Sequence, residues 1–313
     1  MKNTTPTLYV LAGVTASGKS KLALQWATEN QAEILSCDSV SIYKGMDIGS
    51  AKPDLLERNK IPHYGIDLHT LDEPCDVGKY SLYAQKRVHE IQEKGSQVLV
   101  VGGSGFYLQS FFYPVVDEIV VPVEVRSEVE DFYRMNGLNS LVDRLKKLNP
   151  DGLGALDCLN PRRVLRALER CIVSEKSLTQ LQTEFKMLPK PFPEMKKKVI
   201  WLDRENEELE IRIEQRTKKM LRAGLIEETK KLIGDGLLQN NPAASSIGYR
   251  EVISYLEGKI QLDELQSMIE SSTRKLVAKQ RKWFRKHFPD DSRKKIAGDK
   301  GISSSDFNWF TGT

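Results

Sequence analysis

Eight residues near the start of the chain, Gly13-Val14-Thr15-Ala16-Ser17-Gly18-Lys19-Ser20, have the spacing of a loop that cradles phosphate. Glycines let such a backbone curl until several N–H groups point inward at phosphate oxygens, and the helix it opens adds partial positive charge. The phosphate-binding set read from the motif is Gly13, Thr15, Ala16, Ser17, Gly18, Lys19 and Ser20, with Lys19 as a mobile cation. The Ser20 hydroxyl stands where this motif ligates Mg²⁺. The motif specifies phosphate, and leaves open which phosphate compound.

Four further features could work with that loop. Asp38 closes an apolar run, 33–37, where a carboxylate could ligate Mg²⁺, take a proton from a nucleophile, or simply face water in a loop. Gly102-Gly103-Ser104-Gly105 follows another apolar run and would let backbone approach closely while presenting a hydroxyl. No acidic residue ends that second run, which weighs against a motor or hydrolase that activates water. Arg163, Arg166 and Arg170 share one face of a helix begun by Pro161, a stripe suited to phosphates or to a solvated surface. Late in the chain Arg274, Lys275, Lys279, Arg281, Lys282, Arg285 and Lys286 surround Trp283 and Phe284, a mixture that suits RNA if the rings do not pack inward. His63 and His69 lack further ligand types nearby and read as loop or core residues.

The elements that must position these groups follow from hydrophobic patterning. Short apolar runs at 8–12, 33–37, 64–67, 97–101 and 199–202 read as strands, and amphipathic stretches such as 19–27 and 80–91 as the helices between them. Repeated strand–helix order implies an α/β fold with a parallel sheet covered by helices. Residues 119–195 are mainly helical, with breaks at Asn136-Gly137 and Asn149-Pro150, and three prolines in 189–193 read as a hinge or linker. The expected organisation is a P-loop core of 1–118 and 196–290, a helical insertion of 119–195, and a loose polar tail of 291–313.

Composition narrows the function class less than the motifs do. The 313 residues carry a formal charge of +4, too mild to prove a nucleic-acid partner. Cys37, Cys75, Cys158 and Cys171 are too scattered for a disulfide framework or a zinc site and suit a reducing cytoplasm. No apolar run approaches the length of a membrane span.

Taken together, these segments resemble the bacterial tRNA dimethylallyltransferase (tRNA isopentenyltransferase) family. The resemblance is carried by residues 13–20, by Asp38-Ser-Val-Ser-Ile-Tyr-Lys-Gly-Met-Asp-Ile-Gly-Ser-Ala-Lys-Pro53, and by Val101-Gly-Gly-Ser-Gly-Phe-Tyr107. Asn160-Pro-Arg-Arg-Val-Leu-Arg-Ala-Leu-Glu169, Arg212-Ile-Glu-Gln-Arg216, Gly224-Leu-Ile-Glu-Glu228, Ile247-Gly-Tyr-Arg-Glu251 and 272–285 complete it, in order, over residues 8 to 288. Val14 stands where proline is usual, Ser20 and Ser104 where threonine is common, and Tyr64 where a second histidine often follows His63.

The resemblance implies a P-loop NTPase-like parallel sheet with a mainly helical insertion domain. It further implies transfer of a dimethylallyl group from dimethylallyl diphosphate to N6 of the adenosine 3′ to a tRNA anticodon, by a cytoplasmic monomer. Asp38, Ser104 and Arg216 would then be catalytic, Asp38 as the base. Lys19, the loop amides, Arg216 and Ser20 through Mg²⁺ would stabilise the departing diphosphate. Asp38, Ser39, Val40, Ser41, Arg162, Arg163 and Arg166, with Arg126, would contact the anticodon stem-loop, and the target base would be extruded into a channel that meets the donor from the opposite side. A small-molecule kinase with Asp38 as base, or a transferase acting on free adenine nucleotides, would also use the loop. The arginine stripe and the basic late helix are superfluous to either. A GTPase-like RNA-binding module would show an N-K-x-D tetrad, and the sequence has none.

Overall fold

The computed structural model describes residues 5–73 and 75–298. The chain opens with β1 (Thr7–Gly13), α1 (Lys19–Glu29), β2 (Ala32–Cys37), α2 (Leu55–Lys60), β3 (His63–Tyr64), α3 (Val77–Glu93), β4 (Gln97–Gly102) and α4 (Gly105–Gln109). Three helices follow: α5 (Val123–Lys147), α6 (Pro161–Ser174) and α7 (Leu178–Met187). The last stretch is β5 (Lys196–Asp203), α8 (Asn206–Arg222), α9 (Leu225–Gly234), α10 (Asn241–Ala244), α11 (Tyr249–Leu256), α12 (Leu262–His287) and β6 (Arg293–Lys295).

All six strands pair in parallel, in the order β3-β2-β4-β1-β5-β6. The central strands are apolar throughout because both faces are covered. Leu8, Val10 and Ala12 of β1, with Val98 and Val100 of β4, join a core with Tyr80, Ala84, Val88 and Ile91 of α3 and Ile269, Val277 and Phe284 of α12. The alternate residues Leu11, Leu99, Val101 and Leu202 pack the other way, against Leu22, Ala23 and Trp26 of α1. A one-residue register slip would exchange the two sets, so the pairing is strongly specified.

The chain separates into two compact units, Met1–Val115 with Pro191–Thr313, and Val116–Lys190. The edges of the second unit fall before the 119–195 read from composition. Phe192 and Met195 are buried in the core of the larger unit, with Phe192 stacked on Phe111 at 5.9 Å, so the proline-rich stretch is anchored rather than a free hinge. The smaller unit has a core of its own from Val129, Leu141, Leu145, Val164, Leu168 and Leu181. Within it α5 is broken at Gly137, whose φ of 74° no helix contains. The buried Asn149 joins its helices, donating to Leu145 O at 2.8 Å and accepting from Leu178 N at 2.6 Å.

The expected polar tail begins too early. Arg293–Lys295 is a sixth strand paired with β5, and Ile296 is buried beside Leu202. Residues 299–313 of that expected tail lie outside the described residues. The third strand is also shorter than 64–67, since only His63 and Tyr64 pair with β2.

Candidate active site

Parallel register determines which loops meet. Ala12 and Cys37 both lie opposite Gly102, and Gly13 lies opposite Leu202, so β1, β2, β4 and β5 end at the same level. Residues 13–20, 38–41, 103–105 and 203–204 therefore emerge at one edge of the sheet, where ligands of parallel sheets bind.

The first of these segments is a cage with its carbonyls tied outward. Ala16 and Gly18 have positive φ, 65° and 92°. Arg212 Nε donates to Ala16 O at 2.7 Å, and the buried Arg204 Nε donates to Ser17 O at 2.7 Å. Two carbonyls that would repel an anion are thereby occupied. Among the described residues the amides of Ala16, Gly18, Lys19 and Ser20 have no hydrogen-bond partner, which leaves four donors that could bind an anion. Thr15 and Ser17 depart from expectation: the Thr15 amide donates to Gln280 Oε1 at 2.8 Å and the Ser17 amide to Val14 O at 3.1 Å. The Ser17 hydroxyl is buried close to Gly13 and has no hydrogen-bond partner among the described residues.

Lys19 and Arg216 converge on this loop with Asp38. Burial lowers the Lys19 pKa to about 8, with Arg216 adding to the fall and Asp38 opposing it. Burial also lowers that of Arg216, again opposed by Asp38. Two cations facing one carboxylate leave an excess of positive charge in a confined site, which a bound anion would offset.

Asp38 is held by its own turn, its Oδ1 accepting Val40 N at 2.8 Å and Ser41 N at 3.2 Å. Among the described residues Oδ2 has no hydrogen-bond partner, so one oxygen positions the group and the other is available. Ser104 Oγ accepts Ser39 N at 3.3 Å and lies 3.4 Å from Ser39 Oγ, which fastens the glycine turn to the Asp38 turn. The glycines of that turn are explained by protein neighbours. A Cβ at Gly102 would lie 2.0 Å from Cys37 O, and one at Gly105 would lie 2.4 Å from the Trp283 ring.

Three cavities meet here. One of about 1130 Å³ is lined by Ala16, Gly18, Ser20, Arg212 and Lys219, and one of about 680 Å³ by Asp38, Ser39, Val40, Ser104, Phe106 and Lys279. A small one of about 110 Å³ lies beside Asp38, Ile34, Val101 and His63. Lys19 and Arg216 line all three, while Asp38 lines the second and the third. Ser41, expected at the RNA, is buried with its hydroxyl 3.4 Å from Ser36 Oγ and opens only to the small cavity.

The basic face of α12 is narrower than its sequence suggests. Phe284 is fully buried, Trp283 packs over Gly105, and Arg274 is paired with Glu210 and Glu270. Arg281 donates to the buried Asp203 at 2.8 Å, to Asn206 and to Arg204 O. Lys275 and Lys279 line the 680 Å³ cavity, and Lys282, Arg285 and Lys286 are exposed.

In the smaller unit, Arg162 and Arg163 are exposed at the start of α6, which Asn160 caps. Arg166 pairs with the buried Glu169 at 2.7 Å, and Arg170 with Asp117. Arg126 is half-buried there, with its Nε shielded from water.

Sequence reasoning missed the supports of the site. Lys52 is buried, and its three donors go to Tyr43 O, Asp47 and Asp67 at 2.6–2.7 Å, so it organises the 38–53 segment rather than a ligand. Glu228 accepts the amides of Asp47, Ile48 and Gly49 and the Tyr249 hydroxyl. The backbone that Glu228 holds lies about 180 residues away, and the partners of Lys52 are set by how its own segment folds; the only local signal was that a charged residue sat in each matched segment.

The sequence model of the IPP transferase family matches residues 41–287. The chain belongs to that family. Among IPP transferase relatives, the tRNA dimethylallyltransferase of Opitutus terrae is 48% identical over 288 residues, covering 92% of each chain. That of Acetivibrio thermocellus is 36% identical over 278 residues, 88% of each chain. The crystal structure of the full-length tRNA isopentenylpyrophosphate transferase from Bacillus halodurans superimposes with a TM-score of 0.67 at 29% identity, over 97% of this chain and 94% of that one. A eukaryotic dimethylallyltransferase acting on tRNA gives 0.75 at 26% identity, over 89% and 70%. The IPP transferase fold is thus the P-loop-type sheet described above, and among the described residues no helix is long and apolar enough to cross a membrane.

Proposed function

We propose that this chain is a tRNA dimethylallyltransferase that moves the five-carbon group of dimethylallyl diphosphate onto N6 of the adenosine 3′-adjacent to the anticodon, releasing diphosphate. The observation that carries this reading is the placement of Lys19 and Arg216 where the cavities meet, with Ala16, Gly18 and Ser20 lining the 1130 Å³ cavity and Asp38 and Ser104 the 680 Å³ one. A diphosphate on the amides of Ala16, Gly18, Lys19 and Ser20 would direct its esterified carbon toward the cavity that Asp38 and Ser104 line. An adenine extruded into that cavity would bring its exocyclic amine to the same carbon.

The amine is a poor nucleophile, and Asp38 Oδ2 is the group available to accept its proton. As the N6–carbon bond forms, the carbon–oxygen bond to diphosphate breaks and its electron pair leaves with the diphosphate. Lys19, Arg216 and the loop amides stabilise the negative charge that develops there. Ser104 keeps the two turns in register across the reacting groups.

Mg²⁺ fits this donor set in one way only. Among the described residues no three His, Cys, Asp or Glu side chains converge, so the protein offers Ser20 and little else. Such a site suits a cation that keeps most of its water and is held through substrate phosphates. Bound there, it would neutralise diphosphate charge. The reading places the enzyme in the cytoplasm, acting as a monomer, with Arg162, Arg163 and Arg166 on the anticodon stem.

The test is incubation of the purified protein with Mg²⁺, labelled dimethylallyl diphosphate and an anticodon stem-loop. Label entering RNA with equimolar diphosphate release is the expected result. No labelled RNA, with phosphate passing from ATP to a metabolite, would replace this reading with the kinase.

A further inference from the structure

One side chain touches both halves of the proposed reaction. Gln280 lies on α12 and is buried, yet its amide contacts two loops that are remote in sequence. Its Oε1 accepts the Thr15 amide of the phosphate loop at 2.8 Å, and its Nε2 donates to Gly103 O of the glycine turn at 3.0 Å. The approach is close: a Cβ at Gly103 would lie 2.6 Å from Nε2 and 3.1 Å from Gly13 O. The next residue, Ser104, holds Ser39 and so the Asp38 turn.

The same stretch of α12 lines the acceptor cavity through Lys275, Leu276, Lys279 and Trp283. The amide also uses a Thr15 N–H that a phosphate loop would otherwise offer to its ligand. Removing that donor from phosphate makes sense if its task is to fix where the loop sits relative to the turn.

We propose that Gln280 is a positioning residue that sets the distance between the donor-holding loop and the Asp38–Ser104 side of the site. The inference rests on the transfer reaction proposed above. Each end of the amide has one polarity, an acceptor toward Thr15 and a donor toward Gly103, so substitutions of similar volume can separate its hydrogen bonds from its packing. Misplacing reacting groups by about 1 Å can cost roughly 100-fold in rate while leaving either substrate bound.

Gln280→Met keeps the volume and removes both bonds. Gln280→Glu keeps the shape; its carboxylate opposes Gly103 O when ionised, and regains a donor there when protonated. The assay is label transfer from dimethylallyl diphosphate to a stem-loop, with both substrates varied and thermal unfolding followed alongside. For Gln280→Met, kcat falls about 10- to 100-fold while both KM values stay within about threefold of the parent. For Gln280→Glu, the kcat ratio to the parent rises at least about threefold as pH is lowered from about 8 to about 5.5, whereas the Gln280→Met ratio is flat.

A Gln280→Met enzyme with parental kcat, or with raised KM and unchanged kcat, overturns the proposal. If that variant does not fold, a pH-independent Gln280→Glu ratio overturns it instead. Parent protein that labels no RNA refutes the transfer reading, whereas an active parent with indifferent variants refutes only the role of Gln280.

Discussion

Replacing Asp38 by Asn probes two separable consequences of one carboxylate. Asn keeps an oxygen for the Val40 and Ser41 amides, which Oδ1 of Asp38 accepts at 2.8 and 3.2 Å, so the turn survives the change. What is lost is the second oxygen as a base and the negative charge beside Lys19 and Arg216. Loss of a general base costs about 100- to 10,000-fold in the chemical step. The charge acts on donor binding. Lys19 has its pKa near 8 because burial lowers it while Asp38 holds it up. Asp38 forms no ion pair with Lys19 among the described residues, so its effect is that of a charge beyond contact. At an effective dielectric of about 20 that is worth about 1–3 kcal/mol, or about one to two pH units.

The sign follows directly. In the proposed reaction it is protonated Lys19 that would bind diphosphate, so donor affinity in the parent should be full below about pH 8 and fall above it. In Asp38→Asn the same fall begins about one to two units lower. Calorimetric titration with dimethylallyl diphosphate in the absence of RNA reads this limb without turnover, and single-turnover labelling of a stem-loop reads the chemical step. A variant labelling RNA within about tenfold of the parent rate would remove Asp38 as the base. An affinity limb at the same pH in both proteins would refute the electrostatic coupling of Asp38 to Lys19.

Gly102→Ala places a methyl 2.0 Å from the Cys37 carbonyl oxygen where the paired strands β2 and β4 end, and the variant should lose several kcal/mol of stability or fail to fold. Gly234→Ala, in a helix with nothing within 4 Å of the new methyl, should gain about 0.5–1 kcal/mol, and thermal melts of the two check both signs. Arg162→Ala should weaken stem-loop binding and reduce the slope of log affinity against log salt by about one, with melting unchanged. Arg166→Ala should also lower the melting temperature, because it strands the buried Glu169 that Arg166 pairs at 2.7 Å. Filter binding across a salt series, beside melts, separates the two.

The phosphate loop was legible because its requirements are local: glycine where the chain must turn, lysine and serine at the start of a helix. The strands of residues 8–12 and 97–101 were legible because both faces are buried and their runs are apolar. β6 was not, since an edge strand of Arg-Lys-Lys paired only with β5 carries no hydrophobic pattern. The basic late helix misled for a related reason. Its charges are countable in sequence, but that Arg281 turns inward to Asp203, 78 residues away, is decided by packing. Gln280, Arg204 and Glu228 were invisible for the same cause: each acts on backbone atoms of a distant loop, and a single polar residue on a helix does not announce its partner.

In the proposed reaction the exocyclic amine of one adenosine is the acceptor, and Asp38 takes its proton on the side of the donor carbon away from the diphosphate. Single-turnover labelling of two stem-loops tests this directly, one bearing adenosine 3′ to the anticodon and the other purine riboside, which lacks that amine. Transfer to the first and none to the second, with both RNAs bound equally, is the predicted result. Equal labelling of both, or labelling of neither by a folded protein that binds them, would contradict it.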